Sequence, residues 1–119
     1  MIEPEFARRF AAEWIEAWNN HDLDRVLALY AEDFEMMSPL IVTIAGVPSG
    51  RLKGKTAIRA YWAKGLQLIP NLHFELTDIL CGVESMTLAY QGHRGPSAEV
   101  FEFNLAGKVV RASAHYALE

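Results

Sequence analysis

The chain of 119 residues sets 11 lysines and arginines against 15 aspartates and glutamates, with 51% of its residues apolar. That is the size of one domain, spanning residues 1–119, with room for a real core and too little chain for two. No basic run exceeds Arg8-Arg9, so nothing follows a phosphate backbone and no nucleic-acid partner is expected. The longest apolar run, Leu40 to Val47, is broken by Thr43 and Gly46 and is less than half a membrane span. The first residues, Met-Ile-Glu-Pro-Glu, lack the basic and apolar regions of a signal peptide, so a cytoplasmic protein without a membrane partner is expected. Cys81 is alone, which rules out an intrachain disulfide and predicts a buried structural thiol.

Pro4 suits a first helical position, and from there Phe6, Phe10, Trp14 and Trp18 recur every four residues. Ala7, Ala11 and Ile15 lie beside them and charged residues mostly opposite, which predicts a long amphipathic helix. Asn19-Asn20-His21 breaks it. Asp22 is placed to cap a second helix, whose core stripe is Leu23, Val26, Leu27 and Tyr30. Phe34 to Pro39 reads as a strand with Phe34, Met36 and Ser38 on one face, and Leu40 to Lys53 as a loop or ragged strand. A third helix opens at Gly54-Lys55-Thr56, carries Ile58, Tyr61, Trp62, Leu66 and Ile69 on its stripe, and stops at Pro70.

Beyond Pro70 the apolar period falls to two. Leu72, Phe74 and Leu76 alternate with His73, Glu75 and Thr77, and Met86, Leu88 and Tyr90 with Ser85, Thr87 and Ala89. After a turn at Gly92 to Pro96, Glu99, Phe101 and Phe103 share one face and Glu102 takes the other. In the last strand Val110, Ala112, Ala114 and Tyr116 oppose Arg111, Ser113 and His115. Helices first and an antiparallel meander afterwards predict an α+β domain with three helices. Its curved, mostly antiparallel sheet would wrap the long N-terminal helix as a cone-shaped half-barrel. A cone lined by Trp, Met, Phe and Tyr is a pocket for a small apolar molecule.

This order of elements, with W-I-E-A-W-N-N-H-D-L-D-R-V-L-A-L-Y-A-E-D-F at 14–34, G-K-T-A-I-R-A-Y-W at 54–62 and G-K-V-V-R at 107–111, resembles the nuclear transport factor 2-like superfamily. Within it the chain is most similar to the SnoaL-like and ketosteroid-isomerase-like branch. The resemblance implies the fold over nearly the whole chain but no single reaction, because the superfamily hosts isomerases, cyclases, dehydratases and domains without chemistry. Ketosteroid isomerase uses an aspartate base and an oxyanion hole of a tyrosine and a protonated aspartate. Their matching positions here hold Ser38, Trp14 and Glu99. The base is therefore missing and only one carboxyl is kept, so steroid isomerisation by that mechanism is not expected. The family's sheet faces commonly pair two subunits, which implies a twofold homodimer through the face carrying Thr77, Thr87, Arg111, Ser113 and His115.

Glu99 shares its strand face with two aromatic rings, where an ionised carboxylate is costly unless paired. Its pKa is expected to rise, suiting it to general acid or base work; the alternative is a structural carboxylate tied to Arg111, Tyr90 or Tyr116. The residues expected around a ligand are Trp14, Trp18, Tyr30, Met36, Ser38, Tyr61, Trp62, Met86, Leu88, Tyr90, Phe101 and Tyr116. His21, His73, His93 and His115 share no short metal-ligand spacing, and no phosphate loop or serine elbow appears, so neither metal nor cofactor is expected. Two classes of function stay open. One is a cofactor-free isomerase, cyclase, dehydratase or hydrolase acting on a small apolar molecule with a carbonyl or hydroxyl. The other is a non-catalytic ligand-binding or dimeric interaction domain.

Overall fold

The computed structural model describes residues 1–118. The chain runs α1 (Pro4–Asn19), α2 (Leu23–Leu27), β1 (Tyr30–Met37), a π-helical turn (Ile41–Ala45), β2 (Arg51–Lys53), α3 (Lys55–Leu68), β3 (Glu75–Cys81), β4 (Ser85–Gly92), β5 (Gly95–Phe103) and β6 (Val109–Tyr116). Six strands form one sheet in the order β2-β1-β6-β5-β4-β3, antiparallel except where β1 runs parallel to β6. The α+β class is as expected, but two features differ. The turn at Ile41–Ala45 adds a fourth helical segment, and the sheet is open, with β2 and β3 as its edges, instead of curling into a cone. The hollow beneath it is completed by α1, α3 and the connecting segments.

The helical stripe of α1 buries Ala7, Phe10, Ala11, Trp14, Ala17 and Trp18. Phe10 meets Phe101 and Phe103 edge to face at 4.9 and 5.1 Å, and Trp14 stacks on Phe74 at 5.4 Å. Each such pair stabilises by about 0.5–1.5 kcal/mol beyond its buried area. The Asp22 side chain caps α2 by accepting from the Arg25 amide. Arg25 then donates twice to Glu13, at 3.0 and 2.8 Å, which fastens α2 to α1 and holds the Glu13 carboxyl below its ordinary pKa.

The break after α1 also acts as a tether. Asn19 Nδ2 donates to the Phe74 carbonyl at 2.9 Å, the Phe74 amide donates back to Asn19 Oδ1 at 2.7 Å, and His21 Nε2 donates to the Leu72 carbonyl at 2.8 Å. These bonds occupy backbone groups that a strand ladder would use, so β3 begins only at Glu75 although the alternation starts at Leu72.

Several side chains depart from the periodic reading for identifiable reasons. Tyr30, expected on the α2 stripe, opens β1 opposite Val109, because the Leu29 carbonyl accepts from the Val109 amide and the chain is already extended there. A bulge between Leu76 and Asp78 takes Thr77 out of the alternation, and beyond it Leu80 pairs with Thr87 and lies 54% exposed. A second bulge pairs Phe103 with Val109 but Glu102 with Arg111, so Val109 is fully buried and Val110 is turned outward, the reverse of the expectation. From Ala112 onward the expected parity holds. Cys81 is exposed instead of buried, since it ends an edge strand.

Ser38 starts the 40–53 segment by accepting the Leu40 amide at 3.1 Å. The π-type turn then buries Ile41 and closes at Gly46, whose φ of 70° is a conformation that favours glycine. On the outer sheet face Glu35 lies between Arg51 at 3.6 Å and Arg111 at 3.3 Å, and Arg111 also reaches Glu102 at 3.7 Å. Arg111 is thus engaged on the side away from Glu99. Among the described residues no helix is long and apolar enough to cross a membrane.

Candidate functional site

Beneath the sheet lies a cavity of about 80 Å³. Trp14 and Trp18 from α1, Met36 from β1, Tyr61, Trp62, Gly65 and Leu66 from α3, Tyr90 from β4, Glu99 from β5 and Tyr116 from β6 form its walls. Leu40, Ile44, Ile69, Leu72 and Phe74, from the connecting segments, close it. The expected residues Tyr30, Ser38, Met86, Leu88 and Phe101 do not line it. Met86, Leu88 and Phe101 take the expected sheet face, but they are packed away in the core. Strand parity chooses a face; it does not say where along the strand the helix stops covering it.

Tyr30 and Ser38 are used by the protein itself. The Trp14 indole donates to Tyr30 Oη at 3.0 Å, so the donor that would replace an oxyanion-hole tyrosine is already engaged. Ser38 Oγ serves its local turn, and it lies close enough to Tyr61 and Tyr116 to offset part of the rise in their pKa values.

Glu99 is 4% exposed and, among the described residues, is the only carboxylate side chain in the cavity wall. Tyr90 Oη donates to its Oε1 at 3.3 Å, and among the described residues no other side chain bonds to it. Burial pushes its pKa up to about 8, with the Tyr90 hydrogen bond pulling the other way. The tyrosines respond in the same sense: burial first, then the Glu99 charge, raises Tyr90 and Tyr116. Burial also raises Tyr61, with Ser38 opposing and Glu99 adding. All three therefore remain neutral phenols, able to donate a hydrogen bond.

Sequence reasoning missed Leu40, Ile44, Gly65, Leu72 and Phe74 as cavity residues, and placed Leu66 and Ile69 only on the α3 stripe. A signal existed for Gly65, because an isolated glycine inside an amphipathic helix is costly without a packing reason. None existed for Leu40 and Ile44, which depend on one irregular turn.

The chain matches the family described as SnoaL-like domain over residues 11–117. It belongs to the SnoaL-like domain family, within the nuclear transport factor 2-like superfamily. A SnoaL-like protein of unknown function from Burkholderia thailandensis is 52% identical, with 98% of each chain covered and a TM-score of 0.94. An NTF2-like protein of unknown function from Burkholderia pseudomallei is 18% identical, covering 94% of this chain and 91% of that one at a TM-score of 0.72. The epoxide hydrolase/cyclase-like enzyme SalBIII, of pyran ring formation in the polyether salinomycin, is 15% identical, with 99% and 95% covered and a TM-score of 0.75. These two share the fold.

One further group in the SnoaL-like cavity wall is unusual. Trp18 packs edge-on against Trp62 at 5.0 Å, and its Nε1 is the one buried side-chain polar atom among the described residues without a hydrogen-bond partner. An unsatisfied buried donor costs about 1–3 kcal/mol. The wall thus combines an apolar surface, one carboxyl, three phenols and an orphan indole donor.

Proposed function

We propose that this SnoaL-like domain binds a small apolar molecule bearing a carbonyl or hydroxyl in its cavity. As a cofactor-free isomerase, cyclase or dehydratase it would use Glu99 to move a proton. The observation that carries the reading is a single buried carboxyl, its pKa raised to about 8, in the wall of an apolar hollow. Near neutral pH such a group both gives and takes protons, and positioned general acid–base groups contribute about 10²–10⁴-fold to rate. The fold is one that also carries the epoxide hydrolase/cyclase-like SalBIII.

The test is proton exchange at the carbon beside the carbonyl of cyclohexanone in deuterated buffer, followed by NMR. The wild type is expected to exceed Glu99→Gln by about 10²-fold, at the low end of acid–base contributions. Ketone binding with equal exchange in both proteins would instead establish the non-catalytic ligand-binding reading, which the replacement of the family base by Ser38 favours.

We also propose a twofold homodimer through the outer sheet face. Thr87, Ala89, Ala98, Val100 and Ser113 make a half-buried patch of small side chains, bordered by Glu102, Arg111 and His115. An uncharged centre with a charged rim is the composition of a pairing surface. Light scattering at micromolar concentration should return twice the chain mass, and a monomer there would overturn the assignment.

A further inference from the structure

A second hollow of about 50 Å³ adjoins the cavity and shares six of its residues, Leu40, Ile69, Leu72, Phe74, Tyr90 and Tyr116. It adds Gly92, His93, Arg94 and Ser97, from the β4–β5 hairpin. The two hollows therefore share a wall; taken together as one channel, they have Glu99 in the part beneath the sheet and the hairpin at the other end. Among the described residues Arg94 is the only arginine or lysine lining either hollow. Arg9, Arg25, Arg51, Arg59 and Arg111 each have a carboxylate within ion-pair distance, whereas Arg94, like Arg8 on the exposed side of α1, has none among the described residues. Its guanidinium carbon instead sits 5.7 Å from the centre of the Tyr116 ring.

The position is built by a tight turn. Gly92 pairs with Gly95, leaving only His93 and Arg94 between the strands, and Gly95 takes a φ of 84°. A Cβ on Gly92 would come within 3.2 Å of the Tyr90 ring and 3.3 Å of Phe74, so a glycine there lets both rings close over the channel. Tyr116 is opposite Ser97, two residues from Glu99 on the same strand face. The Tyr116 position, whose ring carries the guanidinium, is accordingly on the order of 7 Å along the sheet from the Glu99 position.

We propose that Arg94 anchors a carboxylate, so that the ligand is an elongated apolar oxo- or hydroxy-acid whose far oxygen reaches Glu99. This rests on the function proposed above and narrows its substrate class. The planar fork of a guanidinium matches a carboxylate in bidentate fashion. The aromatic face beneath it orients that fork, and the apolar walls between fix the body of the molecule.

Two probes of nearly equal size separate the terms: 4-acetylbenzoate, whose ketone and carboxylate lie across one ring, and the neutral 4-methylacetophenone. NMR titration should show the carboxylate binding about tenfold more tightly, the scale of one charge-assisted contact at a partly exposed site. Arg94→Gln should abolish that preference, and Arg94→Lys should keep part of it. Equal affinities for the two probes, or a preference that survives in Arg94→Gln, would overturn the anchor while leaving the cavity reading intact. Binding of neither probe by the wild type would overturn both. Arg94 is exposed and its unfolding midpoint provides the check that the fold is unchanged.

Discussion

Glu99→Gln is expected to be more stable than the wild type at pH 8, by a few kcal/mol, and to lose most of the pH dependence between 4.5 and about 8. In the unfolded chain the carboxyl ionises near 4.5, while in the fold it holds its proton up to about 8. Between those values the native state binds the extra proton, so stability falls as pH rises, by about 1.4 kcal/mol per pH unit. The contribution is fully present below the unfolded pKa and is lost as pH climbs through the folded one. Glutamine stays neutral throughout and can still accept from Tyr90. Urea unfolding of both proteins at pH 5 and pH 8.5, with an NMR titration of the wild-type carboxyl, reads the difference directly. A normal or depressed pKa together with a less stable Gln variant would make Glu99 a paired structural carboxylate and remove the main support for acid–base chemistry.

Gly65 should separate folding from binding. It lies inside α3 and lines the cavity, and a Cβ built on it meets nothing within 4 Å. Alanine in its place should stabilise the helix by about 1 kcal/mol, since glycine loses more backbone entropy on folding. Leucine should go further by filling the hollow, and should eliminate any thermal shift caused by cyclohexanone or 4-acetylbenzoate. A firmer fold with no ligand response marks the glycine as the residue that holds the site open. If the leucine variant still responds to these ligands, binding lies elsewhere; if the alanine variant is less stable, the space beside the helix is not open.

The sequence by itself determined which residues of α1, β4 and β5 face the interior. The four-residue recurrence from Phe6 to Trp18 and the two-residue alternations in β4 and β5 are repeated choices between water and core, each made locally, and the structure follows them. The same alternation put Glu99 beside Phe101 and left Arg111 on the far side. What only the tertiary structure decided is where those rows are interrupted and what closes the hollow. The bulges at Thr77 and Val110 answer to partner strands, and the Asn19 and His21 tethers connect residues 55 and 51 positions apart. The π-type turn bringing in Leu40 and Ile44 is too short to show a period. Arg94 reaches the channel only because a two-residue turn folds it over Tyr116. Periodicity records the side of an element that water avoids, whereas a cavity exists where packing is left incomplete, and that depends on all the elements meeting at once.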